Sequence, residues 1–281
     1  MLFSGFFNSN FKSNQLKNYS LTDDMGTLHT FNKVPQRIVS LVPSQTELLV
    51  DLGLESKIVG ITKFCVHPEG LRTKKTIVGG TKKVDYNKIK ELAPDVVICN
   101  KEENTLEIVE NLRETCTVWV TDVITVDDNL KMINDFGNLF DCVEVASQWN
   151  FNITLALNDF KQFIESKPIQ KAAYFIWKNP YMVAGSNNFI NQLLQLNHFE
   201  NVFANQSRYP EIQLEKINEN GNLDFVFLSS EPYPFKEKDA LEMQDFCPQA
   251  KIILVDGEMF SWHGSRLLKA LAYFKELHQK L

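Results

Sequence analysis

Cys65 and His67 stand two residues apart in Lys63-Phe64-Cys65-Val66-His67-Pro68. A thiolate and an imidazole are ligands for soft or borderline metal ions, and the same pair serves as nucleophile and base in cysteine-dependent enzymes. A buried thiol beside a hydrogen-bonded histidine packed on Pro68 would have the same sequence. Two ligands do not complete a metal site. His263, in Ser261-Trp262-His263-Gly264-Ser265-Arg266, is the candidate third. No nucleophile elbow, Walker loop, dinucleotide fingerprint or zinc-protease motif accompanies them, and Gly79-Gly80 alone is a weak phosphate signal.

Two further groups of side chains suit binding rather than catalysis. Trp177, Tyr209, Phe260 and Trp262 fall at strand ends or in loops, where an aromatic face can pack on a flat ligand at low entropic cost. Phe260 reads better as core. Lys63, Lys82, Lys83, Lys101, Arg208 and Arg266 could line a site for an anion, although Lys83 reads better as a solvated surface charge. The amides around Ser44 offer a helix N-terminus to the same kind of group.

These residues need elements to position them. Arg37 to Val42 is an apolar run ending at Pro43-Ser44, which predicts a buried strand and then a helix capped by Ser44, with Glu47 completing a capping box. Strands are predicted at 58–61, 95–99 and 117–120, and helices at 85–92, 104–114 and 126–140, after a hairpin over 20–37. Cys142 to Ser166 contains no proline or glycine, and Val145, Trp149, Ile153, Ala156, Leu157, Phe160 and Ile164 recur at helical steps. That predicts one helix of roughly 25 residues, ~37 Å long. Strands at 172–177, 224–228 and 251–255 and helices at 189–196 and 265–279 follow.

Alternating strands and helices imply parallel sheets. The predicted fold is α/β: two Rossmann-like lobes joined by a long backbone helix. The expected divisions are 1–141 (with 1–19 a lead-in), 142–167 for the helix, and 168–281. Ligands of such sheets sit beyond the carboxyl ends of the strands, which gives the loops at 43–46, 63–67, 79–82, 100–104, 177–181, 229–234 and 256–266. A continuous backbone helix also predicts lobes that close by small angles on a largely preformed cleft.

Composition narrows the function. The chain has 281 residues, 44% of them apolar and 23% charged, and a net charge of −6. That balance gives no general attraction to nucleic acid or anionic lipid. No run approaches the ~18 apolar residues of a membrane span. The N-terminal stretch lacks the charge-then-apolar order of an export signal, and five cysteines without regular spacing suit a reducing compartment, so the sequence as written predicts a cytoplasmic location.

RIVSLVPSQTELLVDLGL (37–54), ELAPDVVICN (91–100), AGSNNFINQLLQLNHFENVF (184–203) and SRYPEIQLEKI (207–217) resemble the cobalamin/iron-siderophore substrate-binding proteins of ABC importers. The resemblance runs from about residue 20 to the end and includes the long helix. It implies two lobes on one helical backbone, a cobalamin-like or iron-chelate ligand in the cleft, no covalent cofactor, no catalysis, delivery to a membrane permease, a periplasmic or cell-surface location, and a monomer. It places Tyr209 at a cleft aromatic, Thr81 where relatives carry the first-lobe aromatic, and Arg266 at an arginine opening the last helix. Thr81 is a departure that bears on corrinoid binding. Of the two glutamates that meet the permease, the second-lobe one matches Glu215, while the first-lobe position holds Asn87 with Asp85 two residues away. Two other readings stand beside this one. The first is an intracellular relative handling a metal complex or a metal ion without a permease. The second is an enzyme with Cys65 as nucleophile and His67 or His263 as base.

Overall fold

The computed structural model describes residues 18–281, so the expected lead-in falls outside it apart from its last two residues, and Tyr19 already opens the first strand. Strands β1 (Tyr19–Thr22) and β2 (Leu28–Phe31) pair antiparallel. Their turn is fixed by Asp23, whose Oδ1 accepts from the amides of Met25 (3.0 Å) and Thr27 (2.9 Å).

The first lobe follows as β3 (Ile38–Ser40), α1 (Pro43–Asp51), β4 (Ile58–Ile61), α2 (Leu71–Lys74), β5 (Thr76–Ile77), α3 (Tyr86–Glu91), β6 (Val96–Asn100), α4 (Leu106–Arg113), β7 (Val118–Thr121) and α5 (Val126–Phe140). The strands form a parallel sheet in the order β5-β4-β3-β6-β7. Every residue of β3 and β6 is buried, which is why both read as continuous apolar runs rather than alternating ones. The chain runs outward from β3 in one direction and then in the other, so the switch point lies between β3 and β6.

One local expectation fails. Helix α1 begins with Pro43, its N-cap is Val42, and no side chain caps it. Proline's fixed φ suits the first helical position, and its missing N–H removes one of the groups a cap would satisfy. Ser44 and Glu47 are thereby released to reach the other lobe.

Helix α6 (Val143–Ile164) has 22 residues, ~33 Å, and lies within the expected segment. It packs on α5 and on the last helix, so it touches both lobes. A Cβ built on Gly137 of α5 would lie 2.7 Å from Ala146 Cβ of α6. Gly137→Ala is therefore expected to lower stability by about 1–3 kcal/mol, although alanine is the better helix former by about 1 kcal/mol. Urea denaturation checks this, and an unchanged or raised midpoint would show that the helices have room to part.

The second lobe comprises β8 (Gln170–Trp177), β9 (Met182–Val183), α7 (Phe189–Leu196), β10 (Phe199–Asn201), β11 (Phe225–Ser229), α8 (Glu237–Phe246), β12 (Lys251–Val255), α9 (Gly257–Ser261) and α10 (Arg266–Lys280). Its sheet is parallel in the order β10-β8-β11-β12, with β9 antiparallel on β8. The switch point here lies between β8 and β11. A single apolar cluster joins Leu48 of α1, Phe136 of α5, Phe160 of α6, Phe274 of α10 and Phe227 of β11, so the backbone helix is cemented to both lobes. Two smaller clusters fill the far faces of the sheets.

Candidate functional site

The carboxyl ends of both sheets face one another, and side chains from the two sets of loops meet there. The first-lobe loop after β6 is built on Asn100, whose Oδ1 accepts from the amides of Glu102 (2.9 Å) and Glu103 (3.1 Å). Asn104 Oδ1 accepts from the Asn100 amide (2.9 Å), and Asn104 Nδ2 donates to the Thr81 carbonyl (2.9 Å). Lys82 Nζ donates to the Glu102 carbonyl (2.6 Å). This frame presents the Glu102 carboxylate to the second lobe, where Arg208 Nη1 donates to it (2.9 Å) and the Tyr209 hydroxyl donates to its other oxygen. Burial, followed by the charge of Glu102, holds the Tyr209 phenol well above its usual pKa, so it stays a donor.

Cys65 is fully buried, with Sγ 3.1 Å from Thr46 Oγ1 and 3.3 Å from Thr62 Oγ1. Burial pushes its thiol pKa up, away from the thiolate that a ligand or nucleophile requires. His67 points elsewhere. Its Nε2 lies 2.8 Å from Glu258 Oε2, and its ring meets Trp262 edge-on at 5.4 Å. His263 is buried, its pKa lowered to about 4 by that burial, and its Nδ1 is 3.3 Å from Ser44 Oγ. The expected Cys65–His67–His263 metal site is thus not formed, because each side chain is drawn to a separate partner. Among the described residues no three His, Cys, Asp or Glu side chains converge as a metal centre.

The other expected residues divide between cleft and scaffold. Trp177, 39% exposed at the end of β8, meets Tyr233 at 5.9 Å. Lys63 is exposed, its Nζ 5.0 Å above the ring of Phe64, which is itself 49% exposed. Thr81 and Lys82 serve the Glu102 loop through backbone and side chain. Arg266 departs from the expected ligand lining. It is buried, pairs with Glu47 through Nε (2.7 Å) and Nη2 (3.0 Å), and donates from Nη1 to Glu258 (2.8 Å). It ties α1 of the first lobe to α10 of the second. Phe260 is fully buried, as expected for core.

What the sequence reading passed over is the acid. Glu231 accepts from Ser261 Oγ (2.9 Å) and Trp262 Nε1 (2.8 Å), and burial together with the charges of Glu258 and Glu103 pushes its pKa up to about 7. Glu102, Glu231 and Glu258 all lie in segments that the strand-end rule selects, Glu258 on the short helix α9, so position alone could have found them. A search confined to bases and aromatics could not.

A two-sheet cleft on a helical backbone is a binding architecture, and the comparisons with known proteins agree. The sequence model of a family described as periplasmic binding protein matches residues 38–249. The chain belongs to that family. Its members are ligand carriers, which sets the chain apart from the cysteine-dependent enzymes. An ABC transporter substrate-binding lipoprotein of Bacillus subtilis is 27% identical over 198 residues, 67% of this chain; the match spans 62% of the relative's own length, under two thirds. A vitamin B12-binding protein of Vibrio vulnificus is 24% identical over 194 residues, 65% of this chain and 67% of the relative. Two solved structures share the fold. One is the periplasmic vitamin B12 binding protein of Vibrio cholerae (TM-score 0.74, 18% identity, 88% of this chain and 99% of that one). The other is a periplasmic heme binding protein of Pseudomonas aeruginosa (TM-score 0.76, 20% identity, 86% and 92%). Among the described residues no helix is long and apolar enough to cross a membrane.

Proposed function

We propose that this periplasmic binding protein is the substrate-binding component of an ABC importer and holds a large metal chelate (a corrinoid, a haem or an iron–siderophore complex) between its lobes. The observation that carries the reading is the family match over 38–249 in a chain whose first-lobe switch-point loop, through Glu102, meets Arg208 and Tyr209 of the segment after the second lobe's edge strand β10. The exposed rings of Trp177 and Phe64 suit a flat, partly apolar cargo better than a bare ion, and the dispersal of Cys65, His67 and His263 points the same way. The cargo would be carried as a finished complex. Glu215, exposed on the turn 214–220, is the proposed contact with a permease, and the importer role would place the protein at the cell surface or in the periplasm.

The test is a tryptophan-fluorescence titration with cobinamide, cobalamin, haemin and ferric siderophores. Trp119 and the half-buried Trp149 lie away from the loops and Trp262 is buried against Glu231, so the exposed Trp177 carries the response. Saturable quenching by one chelate is expected, with at least half of it lost in Trp177→Phe. A folded protein that none of the panel quenches would overturn the reading.

A further inference from the structure

Arg208 is held in place by more than its own loop. Its φ of 64° is a left-handed conformation that side-chain-bearing residues seldom adopt, and that surroundings must impose. The surroundings are visible. The Arg208 amide donates to the Ser186 carbonyl (2.8 Å), and the Arg208 carbonyl accepts from the Gly185 amide (2.8 Å) and from buried Asn188 Nδ2 (3.0 Å). A Cβ on Gly185 would stand 2.2 Å from the Gln206 carbonyl oxygen, so only glycine lets the two segments close together. The outcome is a guanidinium and a phenol aimed side by side at one point. Such a pair recognises a carboxylate, each donor taking one oxygen.

The carboxylate now at that point belongs to the chain itself. Glu102 reaches it from the opposite lobe, on a loop whose backbone is pinned by Asn100 and Lys82 while the side chain remains 30% exposed. An ion pair that open to solvent is weak and readily exchanged. We infer that Arg208 and Tyr209 form a carboxylate subsite which Glu102 fills in cis, and that the cargo is a carboxylate-bearing chelate whose own carboxylate displaces Glu102 on binding. This rests on the chelate-binding reading for its cargo, but the subsite stands on Arg208, Tyr209 and Glu102 alone. A single side chain swinging away opens the subsite, with no rotation of lobes cemented to a shared helix. An internal competitor lowers apparent affinity by the fraction of molecules in which it is bound. Ligands without a carboxylate gain nothing from the subsite and are untouched by that competition.

The subsite is tested first without any chelate. In Glu102→Ala, sodium propionate at constant ionic strength is expected to raise the melting temperature about 2 °C more than chloride does. No propionate-specific rise is expected in wild type, where Glu102 competes, or in Glu102→Ala/Arg208→Gln, where the donor is gone. Equal responses to propionate and chloride in Glu102→Ala overturn the subsite. The cargo arm compares haemin, haemin dimethyl ester and cobinamide by absorbance titration. Glu102→Gln is expected to tighten haemin binding about fivefold and to leave the ester and cobinamide unchanged. If acid and ester respond alike, or if cobinamide binds as tightly as haemin in wild type, the carboxylate requirement is overturned while the chelate reading survives. If propionate acts as expected and no chelate binds, the importer reading fails and the carboxylate subsite stands.

Discussion

Arg266→Met is expected to lower stability by about 3–5 kcal/mol. Methionine keeps most of the apolar stem, so the loss is electrostatic. Glu47 and Arg266 are 4% and 4% exposed, joined by two parallel hydrogen bonds, and Arg266 also holds Glu258 at 2.8 Å. Removing one partner of such a pair leaves a buried charge without compensation, which costs far more than the pair contributes. Lys269, 3.0 Å from Glu47 but mostly exposed, would recover a small part. For a chain of this size the drop corresponds to a melting temperature lower by about 10 °C. Glu47→Gln/Arg266→Met, which removes the stranded charge on α1 as well, should regain more than half of it. Scanning calorimetry on wild type and both variants decides the matter. A loss under 2 °C in Arg266→Met would mean that Glu47 finds water, and that the lobes are not fastened there.

That ion pair also marks the limit of what the sequence discloses. The elements were legible because local pattern determines them. Phe189 to Leu196 carries helical spacing and a preceding Asn188 whose side chain accepts from the Asn191 amide, and the helix is found over those same residues. The apolar runs at 38–40 and 96–100 are buried strands for the reason their composition suggests. Helix α8 leaves no pattern in the sequence because its polar segment, EKDALEMQDF, buries only Asp239 and Met243 and so carries little periodicity. Glu47 reads as a capping residue because its neighbours in sequence supply only that role, whereas its partner Arg266 lies 219 positions away. The cleft behaves likewise. Arg208 stands out by its charge and Tyr209 by the family resemblance, but Glu102, which meets them, is 106 residues from Arg208. Cys65 and His67 were placed in one loop correctly, yet opposite neighbours claim them: threonine hydroxyls for the first and Glu258 for the second. Spacing identifies which residues share a loop, and only packing decides which way each one turns.

Glu231→Gln should have the opposite sign to Arg266→Met, and its size should depend on pH. The Glu231 carboxyl is pushed up to about 7, first by burial and then by the charge of Glu258, while Ser261 and Trp262 pull it back. An acid whose pKa is higher in the folded protein than in the unfolded chain holds its proton more tightly when folded. Its contribution to stability therefore falls as pH rises from about 4.5 and levels off above about 7. Glutamine keeps the oxygen that accepts from Trp262 Nε1 and Ser261 Oγ and never carries the charge. The variant is thus expected to be more stable than wild type by about 1–3 kcal/mol at pH 8, with the gain shrinking toward zero near pH 5. His263 works against this trend in both proteins. Its pKa is lowered to about 4, so its contribution is present above the ordinary histidine range and is lost as pH falls. Because His263 is common to wild type and variant, it cancels in the difference, and urea midpoints for the pair at pH 5, 6, 7 and 8 isolate Glu231. A gain that is the same at every pH would show that packing or hydrogen bonding, rather than a strained charge, separates the two proteins.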